Sequence, residues 1–120
     1  MYSKRIYIAG PMRGYKNYNF DAFDKAKAYL TNLGYLVISP ADLDRFYEGW
    51  ENYPPENFFP SEEQAANFIK RDIDAIFTCD AIYVLDGWEN SKGSAVEIAL
   101  AKFLNLEIMF EQTYVCKYAN

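Results

Sequence analysis

The chain has no histidine. That absence removes Ser-His and Cys-His nucleophile pairs and leaves carboxylates as the acid, base or nucleophile of any active site. Cysteine is scarce: Cys79 and Cys116 sit in apolar surroundings without CxxC spacing, which favours reduced core thiols over a disulfide or metal site. Neither a metal nor another cofactor is expected. No run of Lys or Arg occurs and the formal net charge is −5, so the surface repels a phosphate backbone and a nucleic-acid partner is not expected. No window approaches the roughly 20 apolar residues of a membrane span, and the opening residues lack the apolar stretch of a secretory leader. The expectation is a cytoplasmic protein with no membrane partner.

Aromatic residues, by contrast, are abundant: 18% of the chain, with 11 Tyr and 9 Phe. Such an excess suits a pocket for a flat ligand or a buried self-interface, beside the ordinary filling of a core. A length of 120 residues fits one compact domain, residues 1–120, in which fold and function must coincide.

Strand and helix signals alternate. Arg5-Ile6-Tyr7-Ile8-Ala9 is a β-favouring run ended by Gly10-Pro11. A helix is expected from about Asn19 to Leu33, with Phe20, Phe23, Leu30 and Leu33 on one face and Gly34 as its C-terminal cap. Tyr35 to Ile38 reads as a second strand closed by Ser39-Pro40. Residues 41–60 show no sustained period and read as a long loop with one helical turn at most, a lid or an interface arm. Ser61-Glu62-Glu63-Gln64 is a capping box that opens a helix ending near Phe77, with Ala65, Phe68, Ile69, Ile73 and Ile76 as its buried stripe. A third strand (Ala81 to Leu85), a helix (Ser94 to Leu104) and a fourth strand (Leu106 to Phe110) complete the pattern. Alternation of this kind implies a three-layer α/β sandwich with a four- to five-stranded parallel sheet. Ligands of such sheets bind beyond the carboxyl ends of the strands, here Gly10 to Gly14 and Asp86 to Ser94.

Two carboxylates stand out. Asp72 falls on the apolar stripe between Ile69 and Ile76, so it is either tied into a structural network or faces a cleft. Glu97 lies one turn into the helix after the third strand, beside the expected pocket; alternatively, Ser94-Ala95-Val96-Glu97 is a capping box and Glu97 bonds back to the Ser94 amide. Asn90-Ser91-Lys92-Gly93-Ser94 offers hydroxyls and backbone N–H groups to an anion at a helix N-terminus, and Arg13 in the Gly10-Pro11-Met12-Arg13-Gly14 loop is a charge-assisted donor. Neither loop is a dinucleotide or Walker-type phosphate motif.

In ordered combination, Tyr7-Ile8-Ala9-Gly10-Pro11-Met12, Asp72 with Cys79-Asp80-Ala81-Ile82, Gly87-Trp88, and Ser91-Lys92-Gly93-Ser94-Ala95-Val96-Glu97 with Ala101 resemble the nucleoside 2-deoxyribosyltransferase-like superfamily. The similarity is greatest to a phage and bacterial branch without assigned function, and it runs from the first strand to the fourth. The resemblance implies a flavodoxin-like or Rossmann-like fold, a nucleotide or nucleoside as small-molecule partner, and a homodimer or higher homo-oligomer. It also implies roles: Glu97 as the nucleophile at the anomeric carbon, Asp72 assisting the departing base, and Tyr7 orienting the nucleophile. The substrate would then meet Gly10, Pro11, Met12, Arg13 and Gly14 after the first strand, and Trp88, Ser91, Gly93 and Ser94 after the third.

Six positions before Glu97 stands Ser91, where transferases acting on free nucleosides carry Asp. A neutral donor there suits a phosphate dianion that an Asp would repel, and it resembles the branch that hydrolyses 2′-deoxynucleoside 5′-monophosphates. The resemblance therefore implies hydrolysis of the N-glycosidic bond of (deoxy)nucleoside 5′-monophosphates, ribose or deoxyribose, with base exchange on free deoxynucleosides and a non-catalytic nucleotide-binding or sequestering module as alternatives. Residues 41–60 depart from both characterised branches. Their Trp50, Tyr53, Phe58 and Phe59 are candidates for a contact between copies, while Trp88, Tyr15 and Phe20 are candidate walls for the base.

Overall fold

The computed structural model describes residues 3–111. In chain order these form β1 (Arg5–Ala9), α1 (Phe20–Asn32), β2 (Leu36–Ile38), α2 (Pro40–Glu48), α3 (Glu62–Ile76), β3 (Ala81–Val84), α4 (Lys92–Phe103) and β4 (Glu107–Phe110). Cys116 lies outside the described residues, while Cys79 is a buried thiol that hydrogen-bonds to the Ala75 carbonyl.

The four strands make one parallel sheet in the order β2-β1-β3-β4, a flavodoxin-like doubly wound order. Side chains of β1 alternate across it. Ile6 and Ile8 pack against Phe23, Ala26 and Leu30 of α1. Tyr7 and Ala9 point the other way, toward Ile76 of α3 and Ile98 and Ala101 of α4. Burial on both faces is what makes β1 and β3 near-continuous apolar runs. It also fixes their register, since a one-residue slip would exchange the two faces.

The chain order reverses between β1 and β3, so the loops leaving these two strands diverge and leave a crevice. Gly10 is needed where the loops pass: a Cβ there would lie 2.8 Å from the Leu85 side chain. Among the described residues no helix is long and apolar enough to cross a membrane.

Three expectations are corrected. Residues 41–60 are not mainly loop, because Pro40–Glu48 forms the nine-residue helix α2, bracketed by Pro40 in its first turn and Gly49 in the left-handed conformation. Helix α4 starts at Lys92 rather than Ser94: Ser91 is its N-cap and accepts a hydrogen bond from the Ser94 amide. The Ser94–Glu97 capping box therefore does not form, and the Glu97 carboxyl is free for other partners. In α3, Ala65, Phe68, Ile69 and Ile73 are only half-buried. Ala65, Phe68 and Ile69 face a cleft instead of the sheet.

Candidate active site

The crevice is a cleft of about 770 Å³. Its floor is the Gly10–Tyr15 loop after β1, one wall is α3 with Ala65, Phe68, Ile69 and Asp72, and the opposite wall is the first turns of α4 with Ser91, Gly93, Ser94 and Glu97. Asp44 of α2, Phe59 and Tyr18 close the far end. Tyr18 reaches it through three successive left-handed residues, Asn17, Tyr18 and Asn19. That conformation costs on the order of 1 kcal/mol per non-glycine residue. It is held by the Asn19 amide donating to the Pro11 carbonyl at 2.7 Å and by the edge-on packing of Tyr18 against Phe58.

Gly10 to Gly14, Asp72, Ser91, Gly93, Ser94 and Glu97 thus all meet at one cleft. Tyr7 stands directly behind it. Its hydroxyl donates to Glu97 Oε2 at 2.5 Å, and both groups are buried. Trp88 does not join them; it packs on the α3 and α4 side of the core, with its ring centroid 5.8 Å from that of Phe110. Of the other candidate base walls, Tyr15 lines the cleft, whereas Phe20 is fully buried in the core under α1. Trp50 and Phe58 are turned inward against that same core, stacked edge to face at 4.9 Å, so they do not form an exposed contact surface; Tyr53 and Phe59 remain exposed.

Burial dominates the electrostatics. It raises the Glu97 pKa to about 8; the Asp72 charge raises it as well, while the Tyr7 hydrogen bond and Arg71 oppose the shift. Asp72 is also raised by burial, against the stabilisation of its anion by Arg71 and by Tyr7. Burial disfavours ionisation of both carboxyls and charge on Asp72 disfavours it further at Glu97, so the two titrate as a coupled pair that holds one proton between its two steps. Tyr7 itself is held well above its ordinary range by burial and by Glu97, so it remains a neutral donor.

Two residues at the site were not anticipated. Arg71 Nη2 lies 2.5 Å from Asp44 Oδ1 and 2.9 Å from Asp72 Oδ1, with its guanidinium over the Phe68 ring at 5.1 Å. Asp44 is 1% exposed, and its second oxygen has no hydrogen-bond partner among the described residues. Burial raises its pKa to about 7 in spite of Arg71. Asp44 is hidden in the sequence because its short helix lacks a clear period; the bracketing Pro40 and Gly49 are the signal.

The opposite end of the cleft is suited to an anion. Ser91 and Gly93 sit at the N-terminus of the twelve-residue α4, where backbone N–H groups and the helix dipole favour negative charge. Ser94 Oγ is buried there without a partner among the described residues. Arg13, by contrast, stands at the end closed by Phe59 and Tyr18, its guanidinium 5.2 Å over the Phe59 ring. Among the described residues no group of three or more His, Cys, Asp or Glu side chains is arranged to hold a metal ion.

Comparison with known proteins agrees with this architecture. A 2-deoxyribosyltransferase from the psychrotolerant bacterium Bacillus psychrosaccharolyticus is similar over 88% of this chain and 70% of its own, with 25% identity and a TM-score of 0.61. No match is found among curated proteins. The family model DUF4406, described as a domain of unknown function, matches residues 4–110. The chain belongs to the DUF4406 family, and its sequence and fold place it in the nucleoside 2-deoxyribosyltransferase-like superfamily.

Proposed function

We propose that the protein hydrolyses the N-glycosidic bond of 2′-deoxynucleoside 5′-monophosphates, with Glu97 as nucleophile. The observation that carries this reading is the buried Tyr7–Glu97 hydrogen bond at one cleft with Asp72. An ionised Glu97 oxygen attacks C1′, the C1′–N bond breaks, and the Asp72 proton goes to the departing base nitrogen. Water then attacks C1′ of the glycosyl ester, Asp72 takes a proton from that water, and Glu97 leaves as carboxylate. Free base and 2-deoxyribose 5-phosphate result, in the two-step manner of a retaining glycosidase.

The division of labour follows from the surroundings. The Tyr7 hydroxyl favours the ionised form of Glu97 against burial and fixes which oxygen faces the sugar. The apolar walls Met12, Ala65, Phe68 and Ile69 exclude water and match a flat base. Ser91, Gly93 and Ser94 suit the 5′-phosphate, with Arg13 on the same cleft as a positive charge, and a neutral Ser91 avoids the repulsion an Asp would bring.

A second reading, exchange of bases on free deoxynucleosides, is favoured by the resemblance to a 2-deoxyribosyltransferase. Chromatographic product analysis of nucleosides and 5′-monophosphates, with and without an added acceptor base, separates the two. Hydrolysis gives base without acceptor and prefers monophosphates; exchange requires the acceptor. An assembly of copies through exposed Tyr53 and Phe59 is part of the proposal, and light scattering that gives only monomer at micromolar concentration would remove it.

A further inference from the structure

One guanidinium at the cleft serves two carboxylates. Arg71 Nη2 contacts Asp44 Oδ1 at 2.5 Å and Asp72 Oδ1 at 2.9 Å, and Arg71 Nε also reaches Asp72 Oδ1 at 3.2 Å. Of the three buried carboxyls at the cleft, Asp44 and Asp72 thus pair with one half-buried cation, whose charge also reaches Glu97. A cation shared in this way cannot stabilise both Asp anions fully: charge on Asp44 weakens the hold of Arg71 on the Asp72 anion. The glycosidase reading requires the shared proton to sit on Asp72 while Glu97 is ionised. Arg71 alone would favour the reverse, since it stabilises Asp72 as an anion.

We propose that Asp44 is a positioning residue that, through Arg71, keeps the shared proton on Asp72 for the departing base. This inference rests on the glycosidase reading. Asp44 does not touch the reacting atoms; it offsets the Arg71 charge. The groups facing it are Arg71 and Asp72 from α3, Glu48 from its own helix and Tyr18 from the turn before α1. Those facing Asp72 are Arg71 on its own helix, Tyr7 from β1 and Glu97 from α4. Asp44 is the one member of this set that lies outside the Tyr7–Asp72–Glu97 cluster yet bonds to Arg71. The assignment also explains a buried carboxyl with an unpartnered oxygen, which would otherwise be a desolvation cost without return.

The test is Asp44→Asn, which keeps the shape and an oxygen to accept from Arg71 but removes the charge. Carbon-detected NMR of the carboxyl groups should show the Asp72 midpoint lower by about one unit in the variant. Turnover should fall about tenfold or more for nucleotides with an unactivated base. It should change little for a 2-deoxyribosyl 5-phosphate bearing a nitrophenolate leaving group, which departs without a proton. An equal loss on both substrates, or an unchanged Asp72 midpoint, would overturn the proposal. Should the variant not fold, the unmutated protein still decides: the Asp72 carboxyl shift must show an inflection at the Asp44 midpoint, and its absence refutes the coupling. If no nucleotide or nucleoside is cleaved at all, the glycosidase reading fails, while the NMR titration still decides the Asp44–Asp72 link.

Discussion

The Tyr7 hydroxyl lies 2.5 Å from Glu97 Oε2 and joins the middle of β1 to the second turn of α4 across 90 residues of chain. Both side chains point to the same face of the sheet because Tyr7 alternates with Ile6 and Ile8, which face α1. Tyr7→Phe removes the donor while keeping the ring that packs beneath α4. A buried hydrogen bond to a charged group is worth about 1.5–3 kcal/mol. Turnover should therefore fall by roughly tenfold to a hundredfold with KM little changed. An unchanged kcat would remove Tyr7 from the mechanism.

Glu97→Gln should abolish base release, by at least about 1,000-fold, because no carboxylate remains to form the ester. Nucleotide binding, measured by calorimetry, should persist within a few-fold. The same variant should be more stable at pH 8 than the unmutated protein. Glu97 is raised to about 8 in the folded state against an ordinary 4.5, so the folded protein retains a proton that the unfolded chain has released. Stability from that group is complete below the unfolded value and is lost as pH rises toward about 8.

Asp44, raised to about 7 from 3.8, and Asp72, raised in the same direction, act with the same sign. Thermal melting should consequently decline from pH 5 toward pH 8. A melting temperature that rises over this interval would contradict the assignment of these buried carboxyls.

Activity needs one proton on the Asp72–Glu97 pair. At low pH both are protonated and Glu97 cannot attack. The last proton leaves with an apparent value that belongs to the pair, raised by burial to about 8 as read at Glu97, and above it none remains for the base. The profile of kcat/KM against pH should be a bell whose basic limb falls near 8, and Asp72→Asn should abolish that limb.

Ser91→Asp tests the phosphate end without disturbing the helix, since Asp is as good an N-cap as Ser. It places a carboxylate among the groups offered to the 5′-phosphate. KM for monophosphates should rise at least about tenfold, while any activity on free nucleosides is spared. Equal effects on both would show that Ser91 serves only as the cap of α4.

Much of this was legible in the sequence. The alternating strands and helices, the crevice beyond Gly10 and Gly87, and the anomaly of Asp72 on an apolar stripe all followed from periodicity and side-chain chemistry. The Tyr7–Glu97 contact did not, because nothing local joins residues on different elements; the resemblance supplied it. Helix α2 escaped notice since its nine residues are too few for a clear period and lie beside a Pro- and aromatic-rich loop. With it went Asp44, and with Asp44 the meaning of Arg71. Trp88 and Phe20 illustrate the opposite error. Aromatic rings near a pocket in sequence are as easily core, and in the fold both pack away from the cleft.

The most direct test of the central claim is to incubate the protein with a panel of 2′-deoxynucleoside 5′-monophosphates and quantify free base and 2-deoxyribose 5-phosphate, beside Glu97→Gln. The account predicts equimolar release of both products from at least one nucleotide, without an acceptor base, and none from the variant. Binding of those nucleotides with no release of base by the unmutated protein, or equal release by the variant, would contradict it.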